Sequence, residues 1–109
     1  MEENLKELIC RRETENDGQS IYLYHAETDG HYVGYGLSAY YCTSLLDNVA
    51  AFSEELGIPM MVLDKNDVLK LKGCLQVAEH EKQRYYHFRL PDPIGRHWYR
   101  RWIENIRHQ

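Results

Sequence analysis

Between Ser20 and Leu45 the apolar pattern of this chain changes its period. Residues 20–26, SIYLYHA, are rich in β-formers, and residues 31–35, HYVGY, read as a return strand. From there Leu37, Tyr40, Tyr41, Ser44 and Leu45 recur at steps of three and four. Strands bury every second residue and helices bury at a period near 3.6. The Asp29-Gly30 pair between the two strands is a hairpin turn signal, because both central residues of such a turn need positive φ. Gly34 and Gly36 weaken the return strand and imply close approach by another backbone. The segment is therefore expected to be a β-hairpin leading directly into a helix. Six of the nine tyrosines lie between Tyr22 and Tyr41, which makes this stretch a candidate recognition surface as well as a core.

The rest of the chain fits around that unit. Leu5, Leu8 and Ile9 share one face of a short helix over residues 3–12, with Glu2, Glu3 and Glu7 early and Arg11 and Arg12 late, as the helix dipole favours. A second short helix is expected from Asp47 to Leu56, with Asp47 as N-cap and Gly57 as the stop. Residues Pro59 to Leu63 read as a buried strand. Asp64 is placed to cap a helical stretch, DKNDVLKLKG, with Val68, Leu69 and Leu71 inward and Gly73 at its end, although Val68, Lys70 and Lys72 also alternate as in a strand. Strands follow near Cys74–Glu79 and Arg84–Leu90, joined by a polar HEKQ loop. Asp92-Pro93 is expected to start a helix that runs to the end of the chain. On that helix Ile94, Trp98, Tyr99, Trp102, Ile103 and Ile106 fill the apolar half, with both tryptophans as core anchors. The opposite half carries the arginines and histidines.

The predicted fold is one α+β domain over residues 1–109. It has a mixed β-sheet with a hairpin in its N-terminal half, flanking helices and an amphipathic C-terminal helix. Its 109 residues suffice for a core without disulfides or a metal. No run of roughly 20 apolar residues offers a membrane span. The acidic MEENLKEL start does not resemble a secretory leader, so a cytoplasmic protein away from membranes is expected. Cys10, Cys42 and Cys74 form no C-x-x-C pair and are expected to be buried small hydrophobes.

Known catalytic patterns are missing. The chain has no G-x-S-x-G, phosphate-binding glycine loop, H-E-x-x-H or Rossmann fingerprint. His25 and His31 would need Glu27 or Asp29 as a further ligand to hold a metal, and a pair of surface histidines is the favoured reading. No cofactor, metal or self-contained enzyme is expected. What remains is basic and aromatic. The chain carries a net charge of −4. Residues 1–81 hold six Lys and Arg against fifteen Asp and Glu, or −9, and residues 82–109 hold seven against two, or +5. Tyr85, His87 and Arg89 share one strand face and Tyr86, Phe88 and Leu90 share the other, which reads as core. Arg84, Arg89, Arg96, Arg100 and Arg107 are candidate binding residues for phosphates, with nearby rings to stack on bases.

The run Gly30, His31, Tyr32, Val33, Gly34, Tyr35, followed by Ala39, resembles the opening of the mismatch-recognition domain of MutS-type DNA repair proteins. Tyr32, Tyr35, Ser38 and Ala39 also match a G-x-F-Y-x-x-Y-x-x-S-A motif of small Bacteroides-type proteins of unknown function, with His31 in place of the first aromatic. The resemblance covers about 20 of the 109 residues. It implies a sheet flanked by helices and adds His31, Tyr32 and Tyr35 to the candidate binding residues. In the repair proteins a Phe stacks on the mispaired base and a Glu hydrogen-bonds to it. His31 and Val33 stand at those positions, and Val33 cannot accept a hydrogen bond. The expected function is thus a small non-catalytic interaction module that meets a protein partner or a second copy of itself. The alternative is a nucleic-acid-binding accessory protein using the C-terminal arginines.

Overall fold

A computed structural model describes residues 3–26, 31–81, 84–93, 95 and 97–107. Its elements are α1 (Glu3–Thr14), β1 (Ser20–His25), β2 (Tyr32–Tyr35), α2 (Gly36–Thr43), β3 (Ala51–Ser53), β4 (Ile58–Leu63), α3 (Lys65–Cys74), β5 (Gln76–Glu81), β6 (Tyr85–Arg89) and α4 (Tyr99–Arg107). The strands form one six-stranded sheet in the order β3-β4-β2-β1-β6-β5. The α+β class, the β1–β2 hairpin and the closing helix are as expected. All five pairings are antiparallel, where a mixed sheet was expected. Three of them are hairpins between consecutive strands, which need no crossover of the kind that parallel strands require. Among the described residues no helix is long and apolar enough to cross a membrane.

Side chains alternate across the sheet, and both faces are covered. Ile21, Leu23, Tyr32, Met61, Leu63 and Phe88 point to one face, beneath α2, α3 and α4. Tyr24, Val33 and Tyr35 point to the other, where Ile9 and Leu5 of α1 meet them. The hairpin pairs Leu23 with Gly34 and His25 with Tyr32, and its Asp29-Gly30 turn lies outside the described residues. At Gly34 a Cβ would come within 3.1 Å of a Leu23 methyl, and the α2 backbone lies just beyond. The close approach expected there is real.

Three local expectations are corrected. Residues 47–56 are not a helix. Residues 51–53 pair with β4, and Gly57, at φ +71, turns the chain between the two strands. The Gly57 amide donates to the Ser53 carbonyl at 2.8 Å, so its positive φ serves a hairpin rather than a helix C-cap. Ahead of β3, the Asn48 side-chain amide donates to the Val62 carbonyl at 3.0 Å.

The Asp64 cap is present and forms a reciprocal box with Asp67, each side chain accepting the other's amide. The helix runs one residue past Gly73, and Leu69 is 61% exposed rather than inward.

The last helix begins at Tyr99, not at Asp92. Residue 92 precedes Pro93 and is therefore biased away from helical backbone; residues 91–92 form a bend. The Trp102 amide donates to the Trp98 carbonyl at 2.9 Å, which sets the first turn. Trp98 thus stands at the helix mouth, 56% exposed, and is not a core anchor. Tyr99, Trp102 and Ile106 pack on the main core as expected, while Ile94 lies outside the described residues. Of the cysteines, only Cys42 is buried; Cys10 is half-buried and Cys74 exposed.

Candidate functional site

Leu5, Leu8 and Arg12 fall three and four residues apart on α1, so they share one flank of the helix. That flank borders a cleft of about 520 Å³, whose opposite wall is Tyr24 of β1, Tyr85 of β6, and Glu81 and Arg84 at the β5–β6 end. Tyr24 and Tyr85 are register partners, so their rings lie side by side beneath α1.

Arg12 is the centre of this arrangement. Its guanidinium lies 5.0 Å from the Tyr85 ring, 5.2 Å from Tyr22 and 5.9 Å from Tyr24. A guanidinium so placed is attracted by each ring quadrupole, at about 0.5–2 kcal/mol per contact depending on desolvation. Burial works to lower the Arg12 pKa, but the Tyr24 hydroxyl and the phenols around it raise it on balance. Burial likewise pushes the Tyr24 phenol up to about 12. Among the described residues no carboxylate lies within 4.0 Å of Arg12.

The acids nearby are engaged elsewhere. Glu81 pairs with Arg84 at 2.9 Å. Glu79 accepts the Tyr85 hydroxyl at 2.7 Å, which holds its pKa below the ordinary value, and faces His87 Nδ1 at 3.8 Å. Asp17 pairs with Arg89 at 3.2 Å. Bonding to the Gln19 amide is the main cause of its depressed pKa.

Further along the same face, His87 Nε2 lies 2.9 Å from Ser20 Oγ, and Tyr22 stacks on the imidazole at 4.4 Å. Burial holds the His87 pKa down, favouring a neutral ring. Ser20, His87 and Glu79 therefore stand in the order nucleophile, base and acid. The hydroxyl is closed to substrate, however: Ser20 is 3% exposed, and its Oγ also accepts from Arg89 Nη1 at 2.9 Å. The Cys42 thiol is fully buried, which pushes its pKa up and disfavours the thiolate.

The expected site residues do not converge. Tyr32 is buried on the α2–α3 face, edge-on to Tyr86 at 5.1 Å, whereas Tyr35 is buried on the α1 face. His31 sits half-exposed at the hairpin end, where its carbonyl accepts the Ala26 amide at 2.9 Å. Val33 is only 8% exposed and packs toward α1. Arg84 and Arg89 lie on the α1 side of the sheet, both paired with acids. Arg100 and Arg107 lie exposed on α4, on the other side, with Arg107 over the Phe52 ring at 5.3 Å. Arg96 lies outside the described residues. The His25 ring is edge-on to Tyr32 at 5.5 Å; among the described residues no group of three His, Cys, Asp or Glu is arranged to hold a metal ion.

Arg12 was read in the sequence as a dipole-complementing charge. The signal for its role is its place on the apolar flank, four residues after Leu8 and three after Ile9. The partner rings come from strands far away in sequence, which no local pattern announces. Compared with known protein families, curated proteins and solved structures, the chain matches none.

Proposed function

We propose that the protein is a small non-catalytic binding module whose ligand seats in the cleft between α1 and the β5–β6 hairpin. The observation that carries this reading is Arg12, a half-buried cation fixed by three tyrosine rings at the wall of an open cleft of about 520 Å³. That volume lies within the roughly 300–1,000 Å³ of ordinary ligand sites, and apolar Leu5 and Leu8 with the Tyr24 and Tyr85 rings face polar Arg12, His25, Glu81 and Arg84 across it. The nearest nucleophile, Ser20, is sealed, which favours binding over turnover. The reading is tested by titrating the nitrogen-15-labelled chain with a library of small fragments. Binders are expected to shift the amides of Leu8, Arg12, Tyr24 and Tyr85. Binders that shift only α4 amides overturn it.

A second reading, in which α4 meets nucleic acid, draws on one observation. Trp98 is exposed, with Arg101 5.9 Å from its ring and Arg100 and Arg107 further along the same helix. An exposed ring beside arginines is the pattern of single-strand binders. Against it stand the −9 charge of residues 1–81, which repels a polyanion, and the pairing of Arg84 and Arg89 with acids, so a protein partner is the favoured occupant of α4. Oligonucleotide affinity near 1 μM that weakens with salt, and that is lost on Arg100→Ala with Arg107→Ala, would reverse this preference.

A further inference from the structure

We propose that the ligand of the α1 cleft is a small monocarboxylic acid with an apolar body, its carboxylate bonded to Arg12. This rests on the reading of the cleft as the binding site and adds the chemical class.

The first argument is the unmet geometry of Arg12. Ring faces attract a guanidinium as a cation, but its N–H groups seek acceptors at its edge, and a carboxylate meets two of them in parallel. The acids on this side of the sheet are held by other groups: Glu79 by Tyr85, Glu81 by Arg84, Asp17 by Arg89. Glu13, the neighbour of Arg12 in the chain, is turned away into bonds with Ser38. The Tyr24 hydroxyl meets part of the guanidinium edge, and among the described residues no carboxylate meets the rest, which leaves room for an external anion.

The second argument is charge. The cleft lining holds Arg12 and Arg84 against Glu81, a balance of +1 with His25, which also lines it, counted as uncharged. One negative charge neutralises it. A phosphate dianion would leave an excess beside Glu81 and the adjoining Glu79, and a polyanion more so. The third argument is the remainder of the lining. Leu5, Leu8 and the tyrosine rings offer apolar contact next to the cation, so the acid carries a hydrocarbon or aromatic body. The cleft volume suits one such body rather than an extended chain.

The test uses the whole chain and three probes: 3-phenylpropionate, its uncharged amide 3-phenylpropanamide, and an acetylated tripeptide ending in phenylalanine with a free carboxylate. Binding is read from amide shifts at Leu8, Arg12, Tyr24 and Tyr85. The propionate is expected to bind at least roughly tenfold more tightly than the amide, as a charge-assisted bond requires, and Arg12→Met is expected to abolish that preference. The acid–amide comparison needs no substitution, so it stands even if Arg12→Met fails to fold. Equal binding of acid and amide in the cleft overturns the carboxylate class and leaves the cleft as a site. A tripeptide that binds more tightly than the propionate overturns the small-molecule assignment. If none of the probes shifts these amides at about 10 mM, where even a ~1 mM ligand would be nearly saturated, the class falls; if the fragment library also leaves them unmoved, the site falls with it.

Discussion

Glu13 holds Ser38 twice: its Oε1 accepts the Ser38 amide at 2.8 Å and its Oε2 accepts the Ser38 hydroxyl at 2.7 Å. Ser38 lies in the first turn of α2, where backbone N–H groups have no partner within the helix. Tyr35, the residue at the N-cap position, offers no side-chain bond. A carboxylate from α1 does the capping instead. The Ser38 hydroxyl also accepts the Tyr22 amide at 2.9 Å, at the point where β2 has left β1. One serine thus ties α1, α2 and β1 together.

Glu13 makes stability depend on pH. It is 7% exposed, and burial raises its pKa from 4.5 to about 7 despite the Ser38 bonds that lower it. The native state therefore binds the proton more tightly than the unfolded chain. Its contribution is full below about 4.5 and is lost as pH rises to about 7. The loss is on the order of 3 kcal/mol, from about 2.5 pH units at about 1.4 kcal/mol each. Glu13→Gln keeps the shape and removes the charge. Urea unfolding at several pH values should show the variant equal to the parent near the acid end and more stable at pH 8. A constant difference across the range would refute the assignment.

Gly36 adjoins the same cluster and adopts φ +55; a Cβ there would come 3.2 Å from both Glu13 Cγ and the Tyr99 hydroxyl. Gly36→Ala should cost at least about 1–2 kcal/mol from backbone handedness alone. Gly73 makes the control. It lies inside α3 with open space around it, so Gly73→Ala should stabilise by up to about 0.5–1 kcal/mol. Thermal midpoints moving in opposite directions are the expected result, and a matched fall would contradict it.

The two tryptophans should separate just as clearly. Trp102 packs against the core, 5.2 Å from the Tyr40 ring, and its replacement by Ala should cost about 3 kcal/mol. Trp98→Ala should stay within about 1 kcal/mol, as for other exposed positions. Denaturant midpoints of the two variants measure this. Equal losses would mean that Trp98 is held by more than its contacts with His97 and Arg101.

These residues also show which parts of the molecule the sequence makes legible. The strand-to-helix switch before Leu37, the Asp64 cap and the two faces of β6 rest on local chemistry, and each is where its pattern put it. The segment from Asp47 to Leu56 carries good helix formers, yet β4 offers Ala51–Ser53 an edge to pair with, and pairing overrides propensity. Asp92-Pro93 has the composition of a helix start, but the helix begins only past Pro93 and Gly95, at Tyr99. Arg12 and Glu13 were the least legible of all. Adjacent in sequence, they point to different neighbours, and those neighbours are assembled only when the sheet forms.

Strand β5 has a consequence for the cleft that its wall shares. All six of its residues are exposed, among the described residues it pairs only with β6, and its register breaks between Val77 and Glu79. Segments with few buried contacts open locally at a small fraction of the global unfolding free energy. The flank of the cleft formed by α1 is anchored through Ile9 in the core, and Arg84 is tied to β1, its carbonyl accepting the His25 amide at 2.7 Å, but Glu81 belongs to the exposed edge. Opening at that edge would draw Glu81 away from Arg12, so amide exchange is expected to be faster in β5 than in β1 and the cleft to widen from the Glu81 side.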